Sequence, residues 1–191
     1  DTKNEMYDFI KENNGSIFLN NDDKLLVDLS KNISKKKYGI NSNQNISIRG
    51  NTPYLSIIWE DELVKSKLIG EYQFYNISLA ICIGNYFNIR KRNIMLAIES
   101  YVPKNNRSEV TKTDKNTIIM DAYNANPSSM KAMLESFAKQ EYKNKLCILG
   151  DMLEMGHFSK QEHEKIIKTC QELKLETLFV GEEFRKINNK A

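Results

Sequence analysis

In the second half of the chain, short apolar runs alternate with longer amphipathic stretches. Residues 118–120 and 146–149 are apolar runs of buried-strand type, each ending at an aspartate, Asp121 and Asp151, and a third run covers 177–180. Strands that alternate with helices predict an α/β fold with a parallel sheet and right-handed connections. Ligands of such sheets bind beyond the carboxyl ends of the strands, where both aspartates are expected to lie.

Two helix starts in this half are predicted from capping residues. Asn126 is a good N-cap, and Pro127 suits the first position of a helix. Ser159 and Glu162 have the spacing of a capping box, which predicts a second helix over residues 159–174. Together with the three apolar runs, these helices predict a parallel βαβαβ unit.

The first half of the chain begins with the same alternation. Helical spacing predicts a helix over 4–12, an apolar run predicts a buried strand over 15–19, and a second helix and strand follow before residue 41. Between residues 45 and 69, apolar and polar positions alternate over several short runs, which predicts a meander or hairpin at the edge of the central sheet.

Two more helices complete the first half, one opening near Phe74 and one over residues 91–101. They precede a polar stretch that is rich in helix-breaking residues, at 102–106. We therefore predict a domain boundary there, with one domain over 1–104 and a second over 105–191.

Composition narrows the class of protein. The 191 residues carry a net charge of +3 distributed over many lysines and acidic residues, without a basic tract dense enough to indicate nucleic-acid binding. No apolar run approaches the roughly 20 residues that span a bilayer, and no signal-peptide pattern is present. We expect a cytoplasmic monomer that binds neither membrane nor nucleic acid. The three cysteines are odd in number and far apart, which predicts reduced core thiols.

Two strings of residues carry a family resemblance. Residues 121–127 read Asp-Ala-Tyr-Asn-Ala-Asn-Pro, and residues 149–156 read Leu-Gly-Asp-Met-Leu-Glu-Met-Gly. Both resemble C-terminal-domain signatures of the Mur ligase family, specifically of its D-alanyl-D-alanine-adding branch, and residues 70–76 and 105–108 agree in order. The resemblance implies an α/β fold in which the last part of a central ATP-binding domain precedes a Rossmann-like C-terminal domain.

The resemblance also implies a nucleotide site. Mur ligases carry a Gly-x-His-Asn-x-x-Asn pattern whose asparagines line the adenine site; Asn76 matches the second asparagine, and Gln73 replaces the first. The matching arginine, Arg107, approaches the phosphates in the family and is the expected catalytic residue. The matching aspartate, Asp121, contacts the ribose. The cofactors implied are ATP and Mg²⁺.

The reaction implied is amide-bond formation in peptidoglycan precursor synthesis. ATP phosphorylates the terminal carboxylate of UDP-N-acetylmuramoyl-tripeptide, and the amine of D-alanyl-D-alanine attacks the acyl phosphate. Such chemistry depends mainly on positioning and charge neutralisation. By loop position, the candidates for a wall against the dipeptide are Tyr123, Asn124, Asn126, Asp151 and Glu154.

One expected motif is missing from the sequence. None of the eight glycines is followed by Lys and then Ser or Thr, so the G-x-x-x-x-G-K-[ST] phosphate loop is absent. We therefore expect the 191 residues to be an inactive part of a longer ligase. Two alternatives remain open: another amide ligase of the superfamily, such as a folylpolyglutamate synthase or a MurE-like ligase, and a non-catalytic ligase remnant that serves as a binding module.

Overall fold

The structure is a computed structural model that describes residues 2–188, with side-chain detail for 5–187. The chain divides into two compact units. Unit 1 comprises Asp1–Lys67 and Gln73–Tyr101, and unit 2 comprises Leu68–Tyr72 and Val102–Ala191. The assignment of 1–104 to an ATP-binding domain and of 105–191 to a C-terminal domain stays a prediction.

Unit 1 opens with a helix and a small parallel βαβ motif. Helix α1 (Thr2–Glu12) is followed by β1 (Ser16–Asn20), α2 (Lys24–Leu29) and β2 (Ser34–Tyr38). The two strands pair in parallel. Asp23 caps α2, because its Oδ1 accepts a hydrogen bond from the amide of Leu26 at 3.1 Å.

The next three strands form an antiparallel meander. They are β3 (Ile46–Asn51), β4 (Leu55–Trp59) and β5 (Glu62–Lys65), with β4 in the centre. Within residues 2–188 these strands pair only with one another, so the meander is a separate sheet and not an edge of the β1–β2 sheet. The chain turns away from β2 at Gly39, whose φ of 112° lies in the left-handed region that favours glycine.

Two helices make up the rest of unit 1. Helix α3 spans Gln73–Tyr86 and α4 spans Lys91–Ser100. The buried positions of α3 include Phe74, Ile77 and Ile81, which recur at helical spacing.

Unit 2 contains four strands and three helices in the described residues. The elements are β6 (Glu109–Lys112), β7 (Thr117–Met120), α5 (Pro127–Ala138), β8 (Leu146–Gly150), α6 (Ser159–Glu172), β9 (Glu176–Val180) and α7 (Glu182–Asn188). Strands β8 and β9 pair in parallel around the crossover helix α6. The core of the unit is made by Leu134, Cys147, Met152, Ile166, Cys170, Leu175 and Phe184.

The α/β class predicted from the sequence is confirmed, but in the described residues only part of the predicted parallel βαβαβ unit is found. Strand β7 pairs antiparallel with β6, a strand that the sequence analysis did not foresee. In the described residues the parallel pairing therefore joins β8 to β9, and β7 belongs to a hairpin. A Thr113 turn closes this hairpin, because the Thr113 amide donates to the carbonyl of Asn116 at 2.8 Å.

The capping box predicted at the start of α6 is wrong. A short 3₁₀ turn over Gly156–Phe158 runs into α6, which places Phe158 at the N-cap without a side-chain cap. The Ser159 hydroxyl instead donates to Glu183 Oε2 at 2.7 Å. Glu162 pairs with Lys165 at 2.6 Å, one turn further along the helix.

Candidate functional site

Asp121 lies directly after β7 and is joined to the segment 105–108. Its Oδ1 accepts a hydrogen bond from the backbone amide of Ser108 at 3.0 Å. The Ser108 hydroxyl lies 3.5 Å from the same oxygen. A carboxylate that accepts from a backbone amide fixes the position of both partners. Asp121 is itself exposed, and the bond to Ser108 occupies one of its two oxygens.

Two backbone bonds reinforce this connection on the other side of Arg107. The amides of Ala122 and Tyr123 both donate to the carbonyl of Asn106, at 2.8 and 3.1 Å. The segment achieves this shape with left-handed φ values of 61° at Asn105, 57° at Asn106 and 51° at Ser108. Asparagine tolerates this conformation better than most residues. The segment 105–108 is therefore held against the loop after β7 at both ends.

Arg107 stands between these attachment points. Its Cζ lies 3.5 Å from the centroid of the Tyr123 ring, which is the distance of a stacked cation–π pair. Both side chains are exposed, and the Tyr123 side chain is 63% accessible. Within residues 5–187 the guanidinium makes no hydrogen bond, so its N–H groups are available to a ligand.

Residues 68–72 are also attached to this part of unit 2. The hydroxyls of Tyr72 and Ser108 lie 2.8 Å apart, and Glu71 forms an ion pair with Lys139 at 3.0 Å. Ser108 therefore connects Tyr72 with the carboxylate of Asp121. No role for Ser108 was predicted from the sequence, and its side chain is buried.

Of the candidates for the dipeptide wall, two asparagines lie at the start of α5. Asn126 is the N-cap, since its Oδ1 accepts from the amide of Ser129 at 3.0 Å and from the hydroxyl of Ser128 at 2.8 Å. Asn124 is exposed, and its Oδ1 accepts from the neighbouring Ala125 amide. The helix start predicted from Asn126 and Pro127 is confirmed.

Asp151 has a structural partner for each carboxylate oxygen. Its Oδ2 accepts from the amide of Glu183 at 2.9 Å and its Oδ1 from the amide of Phe184 at 3.1 Å, so it closes the first turn of α7. Glu154 lies in the same loop, exposed and with a left-handed φ of 62°. The assignment of both residues to the wall stays a prediction, but Asp151 has far less capacity for a ligand than Glu154.

His163 supports the loop that carries Asp151. It is fully buried, its Nε2 accepts from the amide of Met152 at 3.0 Å, and its Nδ1 lies 2.7 Å from the carbonyl of Ser159. Because an amide donates to Nε2 and a carbonyl accepts from Nδ1, the ring proton is on Nδ1. In residues 2–188 no cluster of three or more His, Cys, Asp or Glu side chains could hold a metal ion.

Gln73 and Asn76 lie in unit 1, in the first turn of α3. The Asn76 Nδ2 donates to Gln73 Oε1 at 2.7 Å, so the two amides form one pair. Tyr75 lies in the same turn, and its pKa is raised by burial and by the nearby carboxylate of Asp22. Asp22 was not foreseen as a contributor from the sequence.

Asp22 is the centre of a polar network. Its carboxylate accepts from the amides of Ile40 at 2.7 Å and Asn41 at 2.9 Å, and from the Asn41 side chain. Burial by itself would raise the pKa of Asp22, but the hydrogen bonds from Asn41, Ile40 and Tyr75 lower the pKa below its ordinary value.

The residues of the candidate site fit the nucleotide that the resemblance implies better than they fit the metal ion. Arg107 with free donors and Asp121 with one unoccupied oxygen fit a phosphate and a ribose hydroxyl. For Mg²⁺, the described residues offer no group of three or more His, Cys, Asp or Glu side chains. None of the helices in the described part is long and apolar enough to cross a membrane.

Comparison with known proteins defines the class. Residues 106–191 match the family model "Mur ligase, glutamate ligase domain". The chain is 27% identical over 186 residues to the UDP-N-acetylmuramoyl-tripeptide--D-alanyl-D-alanine ligase of Bacillus subtilis (strain 168), with 94% of this chain and 40% of that protein covered. The chain thus spans about 40% of the length of this relative.

Solved structures agree on the fold. MurF from Acinetobacter baumannii superposes with a TM-score of 0.79 at 20% identity, covering 89% of this chain and 39% of that one. MurF of Thermotoga maritima, in complex with ADP, superposes with a TM-score of 0.70 at 17% identity, covering 92% of this chain and 46% of that one.

These matches agree with the residues 121–127 and 149–156: over residues 106–191 the chain is similar to the Mur ligase family. Within that family, the chain resembles the MurF ligases over nearly its whole length. The resemblance predicted from the sequence is confirmed.

Proposed function

We propose that this chain is part of an ATP-dependent MurF-type ligase. The reaction is the addition of D-alanyl-D-alanine to UDP-N-acetylmuramoyl-tripeptide through an acyl phosphate, in the synthesis of peptidoglycan precursors. The observation that carries the proposal is the hydrogen bond between Asp121 and Ser108, because it brings Arg107 to the carboxyl end of β7. The donors of Arg107 and one oxygen of Asp121 thereby lie in one loop cluster of unit 2 and are left for a ligand.

The proposed roles follow from the hydrogen-bonding capacity of each group. The free oxygen of Asp121 accepts from a ribose hydroxyl, and Arg107 neutralises charge that develops on phosphate oxygens. An arginine suits that task because it cannot lose its proton and presents a fork of donors. Gln73 and Asn76 contact the adenine, where the pairing of their amides leaves Asn76 Oδ1 to accept from an amino group. ATP and Mg²⁺ supply the phosphoryl group and its charge neutralisation when bound.

By loop position, the candidates for the proposed wall against D-alanyl-D-alanine are Tyr123, Asn124, Asn126, Asp151 and Glu154. Asn126 and Asp151 already cap helices, which leaves Asn124 and Glu154 as the polar groups with most capacity for the dipeptide amine. The whole enzyme is proposed to work as a cytoplasmic monomer in cell wall synthesis, and thus to support cell shape and cell division. The 191 residues alone are expected to hydrolyse no ATP, because they contain no phosphate loop.

Steady-state kinetics on a complete ligase that contains this chain test the proposal. Arg107→Ala should lower kcat by roughly a hundredfold or more, because the lost contact strengthens as charge develops, a loss on the order of 3 kcal/mol. Arg107→Lys should rescue only part, since an ammonium lacks the fork. Asp121→Ala should raise the KM for ATP, because a ribose contact acts in both ground and transition state.

Arg49→Ala is the matched control, since Arg49 is an exposed arginine on β3 outside the proposed site. It should leave kcat and both KM values unchanged. If kcat and the ATP KM of the Arg107 and Asp121 variants also stay within about twofold of the parent, a difference of ~0.4 kcal/mol, the site assignment is wrong. A parent without ligase activity would contradict the function itself.

A further inference from the structure

We propose that Tyr123 is a positioning residue for Arg107 and not part of the dipeptide wall. This inference rests on the proposed function, because it concerns the placement of the arginine that neutralises phosphate charge. In the described part of the chain this guanidinium forms no hydrogen bond or ion pair, and it stacks on the ring of Tyr123.

The geometry of the stack leaves the guanidinium ready to bind an anion. With Cζ 3.5 Å from the ring centroid, the flat face of the guanidinium is covered by the tyrosine. Its N–H donors lie in the plane of the group and point outward from its edge. Phosphate oxygens bind along that edge, often to two donors at once. The ring and the phosphate therefore use different surfaces of the guanidinium and do not compete.

The backbone around Arg107 is fixed by the same loop that carries Tyr123. On one side, Asn106 accepts hydrogen bonds from the amides of Ala122 and Tyr123. On the other side, the Ser108 amide donates to Asp121. Arg107 is thus flanked by backbone ties to residues 121–123, and its side chain lies on Tyr123. A long, exposed arginine loses considerable rotamer freedom when it is ordered. This arrangement orders it before a ligand arrives.

The stack gives Tyr123 a different role from the one that its loop position predicts. A residue of the dipeptide wall acts on the binding of D-alanyl-D-alanine, so its removal raises the KM for the dipeptide. A positioning residue for Arg107 acts on the transfer step, so its removal lowers kcat and does so only while Arg107 is present.

The kinetic test is a double-mutant cycle in the complete ligase. Tyr123→Leu removes the ring and should lower kcat about fivefold, in line with an exposed cation–π contact, with the dipeptide KM unchanged. Tyr123→Phe keeps the ring face and should behave like the parent. In an Arg107→Ala background, Tyr123→Leu should change kcat by less than about twofold. Tyr101→Leu, at an exposed tyrosine without a ring contact in the described residues, is the control.

A spectroscopic readout on the 191-residue chain is independent of activity. A guanidinium that lies over an aromatic ring has its Nε–Hε proton signal shifted upfield by the ring current. In ¹⁵N-labelled chain, Tyr123→Leu should move the Arg107 signal downfield, while Tyr123→Phe and the signal of Arg49 should not move.

The two readouts separate the possible failures. An Arg107 signal that is unchanged in Tyr123→Leu would overturn this inference, whatever the enzyme does. A raised dipeptide KM with unchanged kcat would also overturn it and would return Tyr123 to the wall. A parent enzyme without ligase activity would contradict the proposed function instead.

Discussion

Asp151 shows how much stability a single carboxylate contributes at the end of a helix. It accepts two amide hydrogen bonds from the first turn of α7 and is only slightly exposed. Asp151→Ala removes the cap and should lower the free energy of unfolding of unit 2 by about 1 kcal/mol, the usual cost of losing such a cap. Urea unfolding followed by circular dichroism measures this change, with the exposed hairpin residue Asp114→Ala as the control. An unchanged midpoint for Asp151→Ala would show that the contacts with α7 contribute nothing.

Gly181 explains why the carboxylate can approach α7 so closely. Its φ of 126° suits glycine, and a Cβ there would lie 2.3 Å from the Asp151 carboxyl carbon. Any larger residue at this position would meet both a strained backbone and the capping group. Such a pair could not be read from the sequence, because residues 151 and 181 are joined only by the fold.

At the scale of elements, the sequence predicted what local chemistry determines. The start of α5 at Pro127 followed from its N-cap and proline, and the helix α4 followed from apolar spacing. The hairpin strand β6 was not predicted, because its residues follow directly after the polar segment 105–108, which has the composition of a linker. The capping box at Ser159 failed because its hydroxyl bonds to Glu183, a partner 24 residues away. Local patterns cannot reveal such distant partners.

Strand β8 shows a similar limit. Its apolar sequence predicted a strand buried on both faces, yet only Cys147 and Leu149 pack into the core. Leu146 and Ile148 are exposed, with Ile148 67% accessible. Leu178 and Val180 of β9 continue the same face. Parallel strands are usually covered on both faces. The apolar sequence therefore predicts burial of both faces, although this face of β8 and β9 is exposed in the described residues.

The residues of the candidate site could be proposed from the sequence, but the contacts among them could not. The motifs identified Arg107 and Asp121, because each matches a family position. They could not show that Ser108 joins the two, or that Tyr123 lies under the guanidinium. Those contacts depend on the left-handed backbone of three residues in the segment 105–108. The sequence permits this backbone conformation but does not require it.

The turns around Asp22 give unit 1 a specific dependence on pH. Asp22 connects the β1–α2 turn with the turn after β2 and with the start of α3. Its pKa is lowered below 3.8 in the folded state. This stabilisation is therefore present above pH 3.8 and is lost as the pH falls through the lower folded-state pKa.

Asp22→Asn should accordingly be less stable than the parent at pH 7, and the difference should shrink below about pH 4. Unfolding followed by the fluorescence of Trp59 measures this, because the single tryptophan is buried in unit 1. Asp28→Asn, at an exposed carboxylate on α2, is the matched control. A difference that stays constant from pH 7 to pH 3 would assign the effect to packing and not to charge.

On the scale of the whole molecule, the two units have separate hydrophobic interiors. Trp59, Leu55 and Ile57 are buried in unit 1. Cys147 and Phe184 belong to the core of unit 2. Each interior also contains buried free thiols, Cys82 in unit 1 and two cysteines in unit 2.

The alkylation rates of these thiols can measure how often each unit opens. Burial, together with the nearby Cys170, raises the pKa of Cys147 to about 11. At pH 7 only about one molecule in 10,000 then carries the reactive thiolate. Alkylation of Cys147 should therefore require a transient opening of the core, and Cys170, which packs in that core, should react at the same rate. Mass spectrometry of alkylated peptides gives the rates of both cysteines and of Cys82. Rapid alkylation of Cys147 in the folded chain, at the speed seen in urea, would show that its core is open to reagent without unfolding.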